Sequence, residues 1–377
     1  MGVAQRLGVR RWLVAGSIAV ILLSVTLPAA WIEAAYSRGI FPWLQSAVVS
    51  VTGWVPWPLT FTVLALLPIV WPILGWLRWR RGRRLQIGRL RLLVAGSMRV
   101  LRVLLYTGAA FLLMWGAGYR RLPIEERWQL RTREVQDEHV YDVSRRLLAI
   151  LHRDAPADGV ALDEARAYAA IAAQERQIVA EREGWTPLLP AHIQHPPAGV
   201  LLAMGVYGVC YPFTLEANVD PALPVPFRVA ISGHELAHVL GYCGEADANL
   251  VSFVAGLRAD DALARYCTAL SMMRYALLGG DVLQQAALRK SLPRRAQDDF
   301  VALAKANGVY RITAAARLQS SLNDAYLKSQ GVALGTADYE RGFRLFVAAF
   351  RQGMLTLPAP FRLPAREPSQ KAGPAGK

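Results

Sequence analysis

The stretch HELAHVLGYCGEADAN, residues 234–249, puts two histidines, two glutamates, an aspartate and an asparagine between an apolar run and an apolar helix. On a helix, H-E-x-x-H sets His234 and His238 one turn apart on one face, where both imidazoles can reach one ion. Glu235 then lies beside that ion and can take a proton from water. Gly241 and Gly244 permit a sharp turn, after which Glu245 opens a second helix through ANLVSFVAGL. Folded back, Glu245 supplies a third ligand and leaves one coordination position open, the arrangement of catalytic zinc. Nitrogen and carboxylate donors without thiolate suit one zinc ion, with iron or manganese as the other metals the set accepts.

Asn249 follows Glu245 by one helical turn. It is expected to hydrogen-bond the far nitrogen of a ligand histidine and so fix its tautomer. Asp247 and Glu216 are the alternatives for the third ligand. A competing reading makes His234 and His238 ordinary helix residues, with Glu235 paired to an arginine. That reading leaves three polar groups against apolar faces, which costs free energy. Cys243 lies close by and reads as a buried small apolar residue rather than a ligand. With Cys210 and Cys267 it makes an odd, small set that gives no disulfide framework, although one bridge can form. PFTLEAN, 212–218, reads as a strand along the cleft whose edge takes an extended peptide, or as an ordinary buried strand. Tyr326, Tyr339 and Glu216 are candidates for substrate contact, the tyrosines as donors to a developing oxyanion. His192 and His195 sit in a proline-rich loop and are expected to be solvated.

Composition says where this stretch lives. The chain has 377 residues, a formal charge of +15 and 54% hydrophobic residues, with a mean hydropathy of +0.24. Residues 1–121 hold 15 arginines and one acid, Glu33, whereas the remainder is nearly neutral. A basic excess confined to an apolar third is the mark of membrane flanks, and it argues against a nucleic-acid partner. Residues 12–32 carry no charge and are long enough to cross a bilayer, as an anchor or as a signal peptide preceded by Arg6, Arg10 and Arg11. An uncleaved anchor is preferred because two more spans follow, 59–77 and 103–119. Residues 39–57, with Trp43, Trp54 and Trp57, read as an interfacial or re-entrant segment. RWRRGRRLQIGRLR, 78–91, has seven arginines and reads as a cytoplasmic loop held by anionic lipid rather than as a DNA patch. The positive-inside rule then puts the N-terminus inside and everything after about Arg120 outside.

Residues 122–183 have helical spacing, 199–219 hold one or two short strands, and helices fill 259–352. The end, 358–377, is proline-rich and expected to be disordered. The fold expected is mainly α: three N-terminal transmembrane helices in a membrane domain, 1–121, then an extracytoplasmic zincin-like α+β domain with a small sheet, 122–357.

These residues resemble a known pattern. HELAH followed by GEADAN is similar to the gluzincin arrangement, H-E-x-x-H with E-x-x-A-(D/N) on a second helix; the more usual last residue is aspartate, where this chain has Asn249. Together with WGAGYRR, GVYGVCYPFTLEANVD and SLNDAYLKSQG followed by Tyr339, nearly the whole chain resembles the domain-of-unknown-function 3810 family of bacterial membrane proteins. The resemblance implies three spans, a zincin-like domain of the peptidase MA group, metal on His234, His238 and Glu245, and Glu235 as base. The function expected is that of a zinc metallopeptidase in the bacterial cytoplasmic membrane, multi-pass, acting on an envelope protein or peptide. The alternative is a non-catalytic zinc-binding scaffold or binding module of the envelope. An intramembrane protease is disfavoured, because the motif lies far beyond the last span.

Overall fold

The computed structural model describes residues 3–84, 88–278, 281–329 and 338–363, with backbone alone for 3–10, 89, 326–329 and 338–340. The molecule is mainly helical with one two-stranded antiparallel sheet. Four helical segments come first: α1 (Val3–Thr26), α2 (Ala29–Thr52), α3 (Leu59–Arg84) and α4 (Arg89–Met114). Helices α3 and α4 are each long and apolar enough to cross a membrane. Helices α1 and α2 pass that test only together, as a pair bent by 118°.

The bend corrects the expected span over 12–32. Helix α1 stops at Thr26, and Pro28 stands in extended conformation ahead of α2, because proline lacks an N–H and clashes with the preceding turn. Residues 32–40 of α2 wind as a π-helix. One face of α2 is buried against the later part of the chain, through Tyr36, Phe41, Gln45 and Val49. The Gln45 amide hydrogen-bonds both the carbonyl and the N–H of Leu188, and the Phe41 ring meets Trp185 edge-on at 6.2 Å. The other face exposes Trp31, Trp43 and Trp54, as an aromatic belt at a membrane surface would. The segment read as interfacial is therefore also a structural part of the unit expected to begin at residue 122.

Two further boundaries move. The helix α3 continues through Arg84, so the first half of the expected arginine loop is helical; arginine is a good helix former and suits a helix C-terminus. Residues 85–87 lie outside the described residues. The span expected over 103–119 begins earlier, with α4 at Arg89, and ends earlier, at Met114. Trp115 and Ala117 beyond it are buried, so this stretch belongs to the packed unit rather than to the span.

Beyond α4 come α5 (Asp137–Asp154), α6 (Glu164–Glu183), β1 (Gly208–Tyr211), β2 (Glu216–Val219), α7 (Val225–Val239) and α8 (Glu245–Arg258). They are followed by α9 (Ala262–Ala276), α10 (Val282–Lys290), α11 (Arg294–Tyr310), α12 (Thr313–Ser329) and α13 (Asp338–Arg351). The centre of the core is α8. Residues 248–257 are buried without a break, so this helix is apolar on every side, as a fully enclosed helix must be. Helices α6, α7, α9 and α13 surround it. The sheet lies against α7, in register Gly208 with Val219 through Tyr211 with Glu216.

Residues 358–363, expected as the start of a disordered tail, run along α5 instead. The backbone N–H of Phe361 donates to the Arg145 carbonyl, and the Arg145 side chain donates to the Phe361 carbonyl. The Phe361 ring stacks on His152 at 4.4 Å. Residues 364–377 lie outside the described residues.

Candidate metal centre

Helix α7 carries the motif at its C-terminal end, and five residues separate it from α8. The reversal is made at Gly241, whose φ is +94°, a conformation that glycine adopts readily and other residues avoid. Gly244 is extended and precedes α8. Glu245 therefore occupies the first turn of a helix, where the backbone dipole favours a negative charge.

The structure brings together His234, His238 and Glu245. One potential ligand atom from each lies within 4.8 Å of the others. His234 Nε2 is 3.1 Å and His238 Nε2 is 3.6 Å from the same oxygen, Glu245 Oε2. The two rings stand edge to face at 4.7 Å. His238 Nδ1 donates to the Tyr242 carbonyl at 2.7 Å, which leaves Nε2 with its lone pair toward the cluster. The donor set, two imidazole nitrogens and a carboxylate oxygen, fits zinc.

The electrostatics suit a cation. Burial would raise the Glu245 carboxyl, but hydrogen bonds from both histidines hold it well below the ordinary carboxylate range. Burial would lower His238, but Glu245 and then Glu235 outweigh it and push it up to about 9. The cluster thus holds a proton avidly where no metal competes. Glu235 is 5% exposed, and burial pushes its pKa up, opposed by the two histidines. Among the described residues nothing hydrogen-bonds its Oε2. A buried carboxylate oxygen without a partner is costly in a folded protein and is a sign of a reacting group or an absent ligand. Gly208 gives this side chain room: a Cβ there would lie 2.6 Å from Glu235 Oε1.

All four residues line a cavity of about 700 Å³. Its walls include β1, Tyr275 and Arg274 of α9, and Gln319 and Asn323 of α12. Among the described residues β1 pairs only with β2, so its other edge borders the cavity. Of the two readings of PFTLEAN, the ordinary buried strand is the one seen: β2 is fully buried and lies between β1 and a bridge from Gln194 to Asn218. The strand along the cleft is GVCY.

Other expectations also shift. Glu216 is not at the cluster. Its two oxygens accept from the backbone N–H groups of Leu59 and Thr60 and from the Thr60 hydroxyl, so it caps the start of α3, and it is not among the residues lining the cavity. Asn249 lines the cavity, is buried and hydrogen-bonds Tyr275; of the two ligand histidines, His238 has its far nitrogen on the Tyr242 carbonyl, which leaves His234 as the one that Asn249 is expected to orient. Asp247 pairs with Arg127 at 2.7 Å, because residues two apart on a helix point to different sides. Cys210, Cys243 and Cys267 are all free thiols and buried. His195 Nδ1 donates to the Val219 carbonyl, 3.0 Å away, and both His192 and His195 are exposed, as expected of the loop. The side chains of Tyr326 and Tyr339 lie outside the described residues.

Sequence reasoning missed an ion network on the opposite side of α8. Arg121 donates to Glu33 and Glu183, and Arg127 to Glu183 and Asp247. The Arg127 side chain is 1% exposed. It also missed Glu175 on α6, wholly buried beside Gly233, whose carboxyl burial pushes well above the ordinary range. Charged residues on a helix of mixed composition gave no signal that these faces would be enclosed.

The profile of the family described as a protein of unknown function (DUF3810) matches residues 36–347. The chain belongs to that family. No curated protein and no solved structure matches it.

Proposed function

We propose that this protein is a membrane-anchored, zinc-dependent metallopeptidase that hydrolyses peptide bonds of an envelope protein or peptide. One observation carries the reading: His234, His238 and Glu245 converge in a wide cavity, with the Glu235 carboxylate, one oxygen of which has no partner among the described residues, beside them. Helix, tight turn and glutamate-bearing second helix support a gluzincin-like relationship and a zincin-like domain of the peptidase MA group. The arginine distribution supports three membrane passages in the bacterial cytoplasmic membrane, the first made by the bent pair, with the cleft outside.

A bound zinc ion would supply a Lewis acid that polarises the scissile carbonyl. The remaining work falls to the chain. Glu235 removes a proton from water in the cleft and returns it to the leaving amine nitrogen. Its burial raises its proton affinity toward the working pH, which favours both transfers. The Tyr242 carbonyl fixes the tautomer of His238. The free edge of β1 offers backbone groups to an extended peptide.

The rival reading, a non-catalytic zinc scaffold, calls for a closed set of four protein ligands. Among the described residues the group has three. The test compares metal content and cleavage of envelope proteins for the wild type and Glu235→Gln. One zinc per chain in both, with cleavage reduced by about 10²–10⁴-fold in the variant, is the expected result. Equal cleavage by both sinks the hydrolase, and a wild type that takes up no metal sinks both readings.

A further inference from the structure

The cleft is built onto the ends of the apolar helices. Trp115 caps α4, and its ring centroid lies 5.8 Å from that of His238. Phe111, one turn back in α4, and Tyr119 line the same cavity as the histidines. On the other flank, α3 starts at the Glu216 cap, and Phe61 packs edge-on against Tyr211 of β1 at 5.5 Å. Tyr211 lines the cavity too. The opposite ends of α3 and α4 meet where Leu92 lies against Gly82, and none of the apolar window of α3 is buried. The two helices thus join at the end far from the cleft, and the end of one and the start of the other flank its mouth.

These positions fix a height. One helical turn is about 5.4 Å, and the headgroup layer outside the hydrocarbon core is about 5–8 Å thick. The His238 ring lies 5.8 Å from the ring of Trp115, the residue that ends α4, so if α4 spans the bilayer the cluster sits within about one helical turn of that helix's end, close to headgroup level. A bond inside a folded soluble protein cannot be brought there against the bilayer. A chain leaving the bilayer in extended form advances about 3.3–3.6 Å per residue, so it reaches the cluster within about five residues.

Resting on the peptidase reading above, we infer that the substrate is itself membrane-tethered: a polypeptide entering between the outer ends of α3 and α4 and cut within about five residues of the bilayer. Tyr211 and Phe61 on one side, and Trp115 and Phe111 on the other, provide an aromatic frame suited to a chain crossing the interface. The residues of β1 line the same cavity, and among the described residues the strand pairs only with β2.

The test uses the full-length protein, loaded with zinc, in vesicles of phosphatidylethanolamine and phosphatidylglycerol. Two reporter sets share a randomised twelve-residue segment. In one set it follows a single apolar helix in the same vesicles; in the other it is a free peptide. Mass spectrometry reads the cuts, with Glu235→Gln as the blank. The expected result is at least tenfold faster cleavage of tethered reporters, with cuts confined to the first five or so residues. Moving the preferred site twenty residues outward on a glycine–serine spacer should slow its cleavage at least fivefold. Free peptides cut as fast as tethered ones, or cuts spread evenly along the segment, overturn this inference and leave the peptidase reading standing. Absence of Glu235-dependent cleavage in both sets overturns the two together.

Discussion

Two buried polar clusters flank the first turn of α8, and they are built on opposite principles. On one side, Asp247, Glu183 and Glu33 meet Arg121, Arg127 and Arg38, and each of these carboxylates accepts from a guanidinium. On the other, two residues away, Glu245 meets His234 and His238, while the Glu235 carboxylate keeps an oxygen without a partner in an open cavity. The first cluster has its charges matched and little to offer a ligand. The second has two carboxylates and two imidazoles facing a cavity, so its charge is balanced by whatever proton or cation it takes up. Burial is common to both, so burial alone does not distinguish a joint from a site. Charge balance and an adjoining cavity do.

The largest expected effect breaks the joint. Replacing the buried guanidinium, Arg127→Met, leaves Glu183 and Asp247 without their shared cation and should destabilise the fold by about 3–5 kcal/mol. Thermal unfolding in detergent measures it, and a loss under about 1 kcal/mol would mean that the network contributes little. Next comes Glu245→Gln, which should keep the fold and weaken zinc binding by more than the 10–100-fold typical of outer-shell partners; competition with a chelator reads this. A subtler variant acts on the strained side. Glu235→Gln removes a buried charge with an unpartnered oxygen, so the metal-free protein should gain on the order of 1 kcal/mol of stability. Unchanged or lower stability would show that the carboxylate is better satisfied than its contacts suggest.

The smallest effect is a slope. Burial would raise the Glu183 pKa, but Arg121 and Arg127 bring it below the ordinary value. A carboxylate depressed in the folded state adds stability that is present above its unfolded pKa of about 4.3 and lost as pH falls through the folded value. Unfolding temperature should therefore fall as pH drops from 5 toward 3, and the fall should be shallower in Arg127→Met. Parallel curves for the two proteins would exclude Glu183 as a source of the slope.

How much of this was legible depended on distance along the chain. The meeting of His234, His238 and Glu245 is local: a helical repeat, a glycine turn and a helix start, all within twelve residues. The joint is not local. Arg127 reaches Asp247 across 120 positions, and Glu216 caps a helix that starts 157 positions earlier. Nothing in either neighbourhood signals such pairings. The break at Pro28 is a different kind of miss. The proline was in plain view, but an uncharged run of spanning length outweighed it, although a proline so near the end of a helix stops it as readily as in the middle.

The docking of α2 has a consequence for assembly. Gln45 binds Leu188 across 143 positions, and a ribosome adding about 5–20 residues per second needs roughly 7–30 s to cover that distance. During this interval Tyr36 and Phe41 have been synthesised and Trp185 has not. That apolar face therefore has to wait for its partner, and the apolar helices on either side of it, α3 among them, are made well before the unit that closes over it.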